Sequence, residues 1–379
     1  MTHNVGINIG LLKNRISIEG DFYVKNTDNL ILQASLPWYM GTNGSPGSVG
    51  APLVNAGALK TTGWNFSIVS TNIQNKNFRW ETNFNLSQFR STIESLNSDN
   101  AFIDRTSWWM NNWTQRAAIG MQPWLFRGYI EEGIFTSTEE IDASAVPVDN
   151  SGNRRPTDPQ TGIWVGDVKY RDINGDGKID VNDMTNIGNP WPKLTAGLTN
   201  SFSYKGFDLS ILITGTYGND IYNYIASEAS NPNNINLSRN LLTASMDYAK
   251  VSTDVNGKPF LTNPGTTIPR MSSNPVANEN NYGKITTRFV EDGSYLRLKN
   301  ISLSYNLPFK YLNYTKVIKG LRATIGAQNL FTLTKYKGYD PEVGAYVGTG
   351  ASGGNQAIGI DFGRYPLTRM YTATISVDL

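Results

Sequence analysis

The chain alternates apolar and polar residues with a period of two, stretch after stretch, and no other property restricts its fold so tightly. In RISIEGDFYV, Ile16, Ile18, Phe22 and Val24 fall on one side while Arg15, Ser17, Glu19 and Asp21 fall on the other. In NFRWETNFNLS, Phe78, Trp80, Phe84 and Leu86 oppose Asn77, Arg79, Glu81, Asn83 and Asn85. LKTTGWNFSIVS, LTAGLTNSFSY, FDLSILITG, ISLSYNL and LRATIGAQNL repeat the pattern, each near the length of a tilted membrane-spanning strand, roughly 9 to 11 residues. Such a chain is all-β, with about nine strands expected. An odd set of strands does not close an antiparallel bacterial barrel, so further strands are expected from elsewhere.

The connections alternate too. Lys13-Asn14, QNKN at 74 to 77 and Lys205-Gly206 read as tight hairpin turns, whereas the intervening connections near 33 to 57, 91 to 191, 218 to 290 and 332 to 366 are long and rich in Gly, Asn and Pro. Short turns on one side and long loops on the other describe an antiparallel transmembrane β-barrel with long extracellular loops, the two largest being 91–191 and 218–290. A soluble sandwich also alternates, so the environment has to be read from other features. The polar faces carry mostly Ser, Thr, Asn and Gly, as a wet lumen tolerates. Aromatics such as Phe22-Tyr23, Tyr204, Tyr217 and Phe331 sit at strand ends, where interfacial girdles lie. The closing YTATISVDL places Tyr371, Ala373, Ile375, Val377 and Leu379 on one face against Thr372, Thr374, Ser376 and Asp378.

Composition excludes several functions. With 33 basic and 31 acidic residues and a net charge of +2, the chain is too balanced to bind nucleic acid through a general basic patch. It has no cysteine and one histidine, His3. Disulfides, thiolate chemistry and His-centred catalysis therefore have no material, and no enzyme is expected. No apolar run reaches the roughly 20 residues of a membrane helix. The opening MTHNVGINIG lacks the basic start and apolar stretch of an export signal, so none is expected within it.

The stretch Gly166 to Asp208, GDVKYRDINGDGKIDVNDMTNIGNPWPKLTAGLTNSFSYKGFD, closely resembles the C-terminal half of SusC/RagA-type TonB-dependent outer-membrane transporters of Bacteroidetes. So do GYIEEGIFTSTEEI at 128 to 141, FVEDGSYLRLKNISLSYNLP at 289 to 308, LRATIGAQNLFTLTKYKGYDPEV at 321 to 343 and the closing RYPLTRMYTATISVDL, in matching order and spacing. The resemblance covers residues 1–379 and implies the C-terminal portion of a 22-stranded barrel in the outer membrane. It also implies an N-terminal plug, import of glycan or peptide fragments under a SusD-like surface lipoprotein, and energy from TonB through the plug. Plug, TonB box and first strands are expected on another segment or companion chain, without which this one is neither gated nor energised.

Within DINGDGKID and its continuation, Asp172, Asn174, Asp176, the backbone of Lys178, Asp180 and Asp183 stand at positions 1, 3, 5, 7, 9 and 12 of a calcium loop, with Gly177 at the sharp turn and Ile179 as the inward apolar residue. Carboxylates at every second residue of a tight loop can converge on a hard cation, so a structural calcium ion is expected; an acidic Gly-Asp-Asn turn is the alternative. Trp108, Trp109 and Trp113 of SWWMNNW are candidates to stack on a sugar or the lid, with packing among the loops as the alternative. Glu131-Glu132 and Glu139-Glu140 are sequence neighbours that point apart, and they are expected to be solvated. Arg127, Arg297 and Lys299 suggest a local positive lining of the lumen. RNLLTASMDYAK suggests a short helix inside an outer loop. Two other readings stay open: a structural barrel subunit of a larger outer-membrane assembly, and a soluble, calcium-stabilised β-sandwich that binds carbohydrate.

Overall fold

The computed structural model describes residues 1–33, 53–98, 101–106, 113–236, 239–307, 318–347 and 356–378. Nine long strands form one antiparallel sheet in sequence order: β1 (Thr2–Leu11), β2 (Ile16–Gln33), β3 (Leu53–Gln74), β4 (Phe78–Ser95), β5 (Leu194–Tyr204), β6 (Phe207–Tyr217), β7 (Tyr295–Asn306), β8 (Gly320–Thr334) and β9 (Met370–Asp378). Each pairs with its neighbour in sequence, as a meander of hairpins dictates. The tight turns lie where their residues allow them. Leu12, Lys13 and Asn14 hold φ of 54°, 59° and 63° in the turn between Leu11 and Ile16, and Lys205 and Gly206 hold 45° and 91°, the left-handed pair that the twist of a two-residue hairpin demands. At the third turn, Asn75 Oδ1 accepts the N–H groups of Asn77 and Phe78.

Register places the apolar residues in one band. Val5 faces Phe22, which faces Trp64; Phe66 faces Leu86, then Ala196; Leu198 faces Ile213; Ile211 faces Ile301; Leu303 faces Ile325, then Ala373. Among the described residues no second sheet covers this band. Val5, Ile7, Ile325 and Ile375 are 75, 62, 61 and 74% exposed, which in water would waste much of the apolar area that normally drives folding. A sandwich is thereby overturned, because its apolar stripes would meet across a dry interior. The band is instead the lipid-facing surface. Near the short-turn end it finishes in Phe78 beside Tyr204, Trp80 stacked on Phe202 and Phe207 against Tyr305, with ring centroids 6.4, 5.6 and 4.4 Å apart. Toward the other end Phe22 and Trp64 pair across β2 and β3. Within the band Asn200 accepts from Trp80 Nε1 at 3.0 Å and Thr82 Oγ1 at 2.7 Å, so its carbonyl is not left bare toward hydrocarbon.

The opposite face carries Asn8 bonded to Glu19, Ser87 to Thr195, and Ser304 to Thr324, a hydroxyl and amide wall that suits water. Tyr23 lies across Gly63, where a Cβ would stand 2.5 Å from its hydroxyl. Strands β2, β3 and β4 run to 18, 22 and 18 residues, longer than the alternation alone indicates, so their upper halves rise past the membrane. We expect Ile301→Arg on the lipid-facing band to cost about 2–4 kcal/mol, and Ser302→Arg on the wet wall to cost little. Urea unfolding from vesicles checks this, and equal costs would contradict the assignment of faces.

The tightly packed core lies in the long connections and not in the sheet. Of the buried apolar side chains among the described residues, Ile93 alone belongs to the nine strands. The connections carry their own elements: a four-stranded antiparallel sheet (Phe102–Thr106, Trp113–Ala118, Leu125–Gly128, Thr185–Gly188) and helices Thr138–Ala143, Tyr224–Ser230 and Pro275–Tyr282. The last begins with Pro275 behind Asn274, whose Oδ1 accepts from Val276 and Ala277 N–H, an N-cap followed by the one position where proline costs nothing. The helix expected in RNLLTASMDYAK shrinks to a 3-10 turn at Thr243–Asp247, which has no side-chain cap. Phe126, Tyr222, Ile285, Phe289 and Ile360 pack together, and a parallel bridge joins Tyr222 to Ile360. Three separate connections thus share one core and form a prefolded platform at one end of the sheet.

Candidate functional site

Strand Val168–Tyr170 leads into the acidic loop, and a 3-10 turn at Val181–Asp183 leads out. Gly175 and Gly177 take φ of 75° and 79°, which only glycine adopts freely. Asp172 accepts the N–H groups of Gly175 and Gly177 at 2.7 and 2.8 Å, Asn174 that of Asp176, Asp176 that of Lys178, and Asp180 that of Asn182. Asp183 is fully buried and accepts from Ile173 and Asp180 N–H at 2.9 and 2.8 Å. Ile179 is buried with Tyr129, Val168 and Tyr170, and burial pushes the Tyr129 hydroxyl up to about 12, with Asp183 and Asp180 adding to the effect. The donor chemistry suits a hard cation. Yet these oxygens are engaged by the loop's own N–H groups, and among the described residues no group of three or more acidic or histidine side chains is arranged to hold a metal ion. The loop is also pinned from outside, since Arg127 donates to Val181 O at 3.1 Å.

Arg127 therefore braces the acidic loop. Arg297 is 2% exposed and donates to Asp340 at 2.6 Å, and Lys299 reaches Glu342 at 3.1 Å. The positive lining expected from these cations is cancelled by two acids about one loop away. Burial would raise the Asp340 carboxyl, but Arg297 and the N–H groups of Glu342 and Leu367 outweigh it and hold it below its ordinary range. The network thereby ties the β8–β9 connection to the wet face of β7.

The paired glutamates do not form acid and base couples; Glu132 and Glu139 are exposed, as expected, while Glu131 and Glu140 are partly buried. Glu131 pairs with Arg288 and Glu132 with Arg171, both at 2.9 Å; Glu139 pairs with Lys258 at 2.8 Å and Glu140 with Lys169 at 3.1 Å. The Lys258 hydrogen bond brings Glu139 down to about 2. Trp108 and Trp109 lie outside the described residues, as does the side chain of Trp113, whose backbone opens the strand Trp113–Ala118.

Sequence reasoning missed the tie at the centre of the platform. Asp167 is wholly buried; it accepts from Arg270 Nε at 2.6 Å and Nη2 at 3.1 Å, from Asn281 Nδ2 at 2.7 Å and from the Trp164 N–H at 2.8 Å. Arg270 and Asn281 lie over a hundred residues away, and no local pattern marks them. Gln115, also buried, donates to Trp124 O and to Ile358 O, both at 2.9 Å, joining the β4–β5 connection to the β8–β9 connection.

No family model matches the chain. It is 31% identical over 376 residues to TonB-dependent receptor P3 and 30% over 375 residues to TonB-dependent receptor P26, both of Formosa agariphila. It is 25% identical over 386 residues to the TonB-dependent receptor SusC of Bacteroides thetaiotaomicron. These matches take in 99, 99 and 100% of this chain but 33, 34 and 31% of the relatives. The chain thus spans about a third, rather than half, of the length of the curated relatives it matches. Among solved structures, the RagAB peptide importer in its closed-closed state superposes with a TM-score of 0.66 at 23% identity, over 99% of this chain and 35% of that one. The open-open state gives 0.65 at 22%, over 100% and 34%. At such identities the superpositions speak for the fold.

Proposed function

We propose that the chain, similar over nearly its whole length to TonB-dependent receptors of the SusC/RagA type, forms the rear wall and outer platform of a nutrient importer in the outer membrane. In this reading the cargo is a glycan or peptide fragment. A segment outside this chain supplies the plug, the contact with TonB and the first strands, and a SusD-like surface lipoprotein closes over the platform. The observation that carries the reading is the sheet itself: one bare apolar face for lipid, one hydroxyl and amide face for water, and a prefolded set of loops at one end. The relatives' names support import, and RagAB is described as a peptide importer. Deleting the chain's coding region should abolish uptake of one class in a panel of labelled oligosaccharides and oligopeptides. Unchanged uptake of every member would refute the reading, and the class lost would identify the cargo.

For the Asp172–Asp183 loop the reading includes a structural calcium ion, supported by the ligand spacing and the oxygen donors. Binding would require side-chain oxygens to exchange hydrogen bonds for metal bonds, or to share their second lone pairs. Chelation is expected to speed amide exchange across 172–183, and added calcium to reverse it. Identical exchange in both conditions would leave the loop closed by its own hydrogen bonds alone.

A further inference from the structure

The lipid-facing side of β3 and β4 changes character in successive rows above the apolar band. Gly20, Phe66 and Leu86 form one row; Phe22, Trp64 and Gln88 the next; then Val24, Thr62 and Arg90; then Asn26, Lys60 and Thr92. Phe22 and Trp64 stand where an aromatic girdle meets headgroups. Arg90 and Lys60 follow directly above as diagonal neighbours on one face, roughly 7–8 Å apart between Cα atoms. Arg90 is exposed and has no hydrogen-bond or ion-pair partner among the described residues. Lys60 has only an exposed contact with Glu94 at 3.8 Å, of the kind that holds little. Beside Arg90 opens a cleft of about 500 Å³ lined by Met121, Leu125, Ile187, Gln122 and Asn186, and by Asp220, which accepts the Asn189 N–H at 2.7 Å.

A free guanidinium, an ammonium beside it, amide donors and an apolar floor, all continuous with the membrane-facing band, fit an amphiphile whose head carries phosphate. We propose that Arg90 and Lys60 bind the phosphate of a phosphorylated lipid in the outer leaflet, its apolar part lying against Met121, Leu125 and Ile187. The site rests on the membrane placement of the sheet and is independent of what the barrel imports.

The test uses the protein purified from outer membranes, with the segments it assembles with, in phosphatidylcholine nanodiscs containing either phosphatidic acid or acyl-matched diacylglycerol. Mass spectrometry of retained lipid should favour phosphatidic acid by about thirtyfold, the effect expected of two cations at a headgroup. Arg90→Gln with Lys60→Gln should erase the preference, and Arg90→Lys should largely keep it. Equal retention of the two lipids, or an unaltered preference in the double variant, would overturn the site. Displacement by inorganic phosphate at equal concentration would also overturn it, pointing to a free-anion site. Failure to enter nanodiscs at all would instead strike the membrane placement, a separable result.

Discussion

Asp167→Ala is expected to destabilise the outer platform by about 3–5 kcal/mol, the cost of leaving a buried partner charge uncompensated. Arg270 is 12% exposed at its side chain and has its two guanidinium bonds to this one carboxylate; the Asn281 and Trp164 donors lose their acceptor as well. Because the partners join the β4–β5 connection to the β6–β7 connection, the loss should appear as faster amide exchange in residues 134–168 and 270–282 together, with the sheet left intact. Asp167→Ala combined with Arg270→Met should recover most of the stability, since it removes the stranded charge. A single-variant loss below about 1 kcal/mol would mean that solvent reaches Arg270.

Phe126→Ala should cost a similar amount, about 3–5 kcal/mol, by a different physical route. Its ring is 1% exposed, tilted against Tyr222 at 6.2 Å between centroids, and packed in the cluster that also holds Phe289 and Ile360. Removing it opens a cavity where three connections meet, and backbone hydrogen bonds such as Tyr222 N–H to Gly359 O at 2.9 Å limit collapse into the gap. Exchange should rise in all three connections at once. A rise confined to residues 113–128 would show that the connections fold separately.

The two variants probe what local pattern could not disclose. The strands were legible because each is a local record of its surroundings: one side chain in lipid, the next in water, repeated. Ile16 and Glu19 announce their faces without reference to any other strand. Lys13-Asn14 and Lys205-Gly206 announce their turns because few residues tolerate positive φ. Charge behaved otherwise. Arg297 and Lys299 look cationic in sequence, yet Asp340 and Glu342 neutralise them across 43 residues of chain. The Glu131-Glu132 and Glu139-Glu140 doublets look solvated, and each member finds its own cation. The acidic loop is half of each kind: its spacing is legible, while its pinning by Arg127, from a strand more than fifty residues earlier, is not.

The sequence by itself determined an all-β chain, the two faces of its strands and its short and long ends, because alternation and turn chemistry act over a few residues and need no knowledge of partners. Only the tertiary structure decided that the long connections are a packed body with Asp167, Gln115 and Phe126 at its seams, and that Arg90 stands free above the aromatic row. Pairing of a buried charge and closure of a core depend on groups brought together from distant parts of the chain, and the chain carries no local mark of who those neighbours will be.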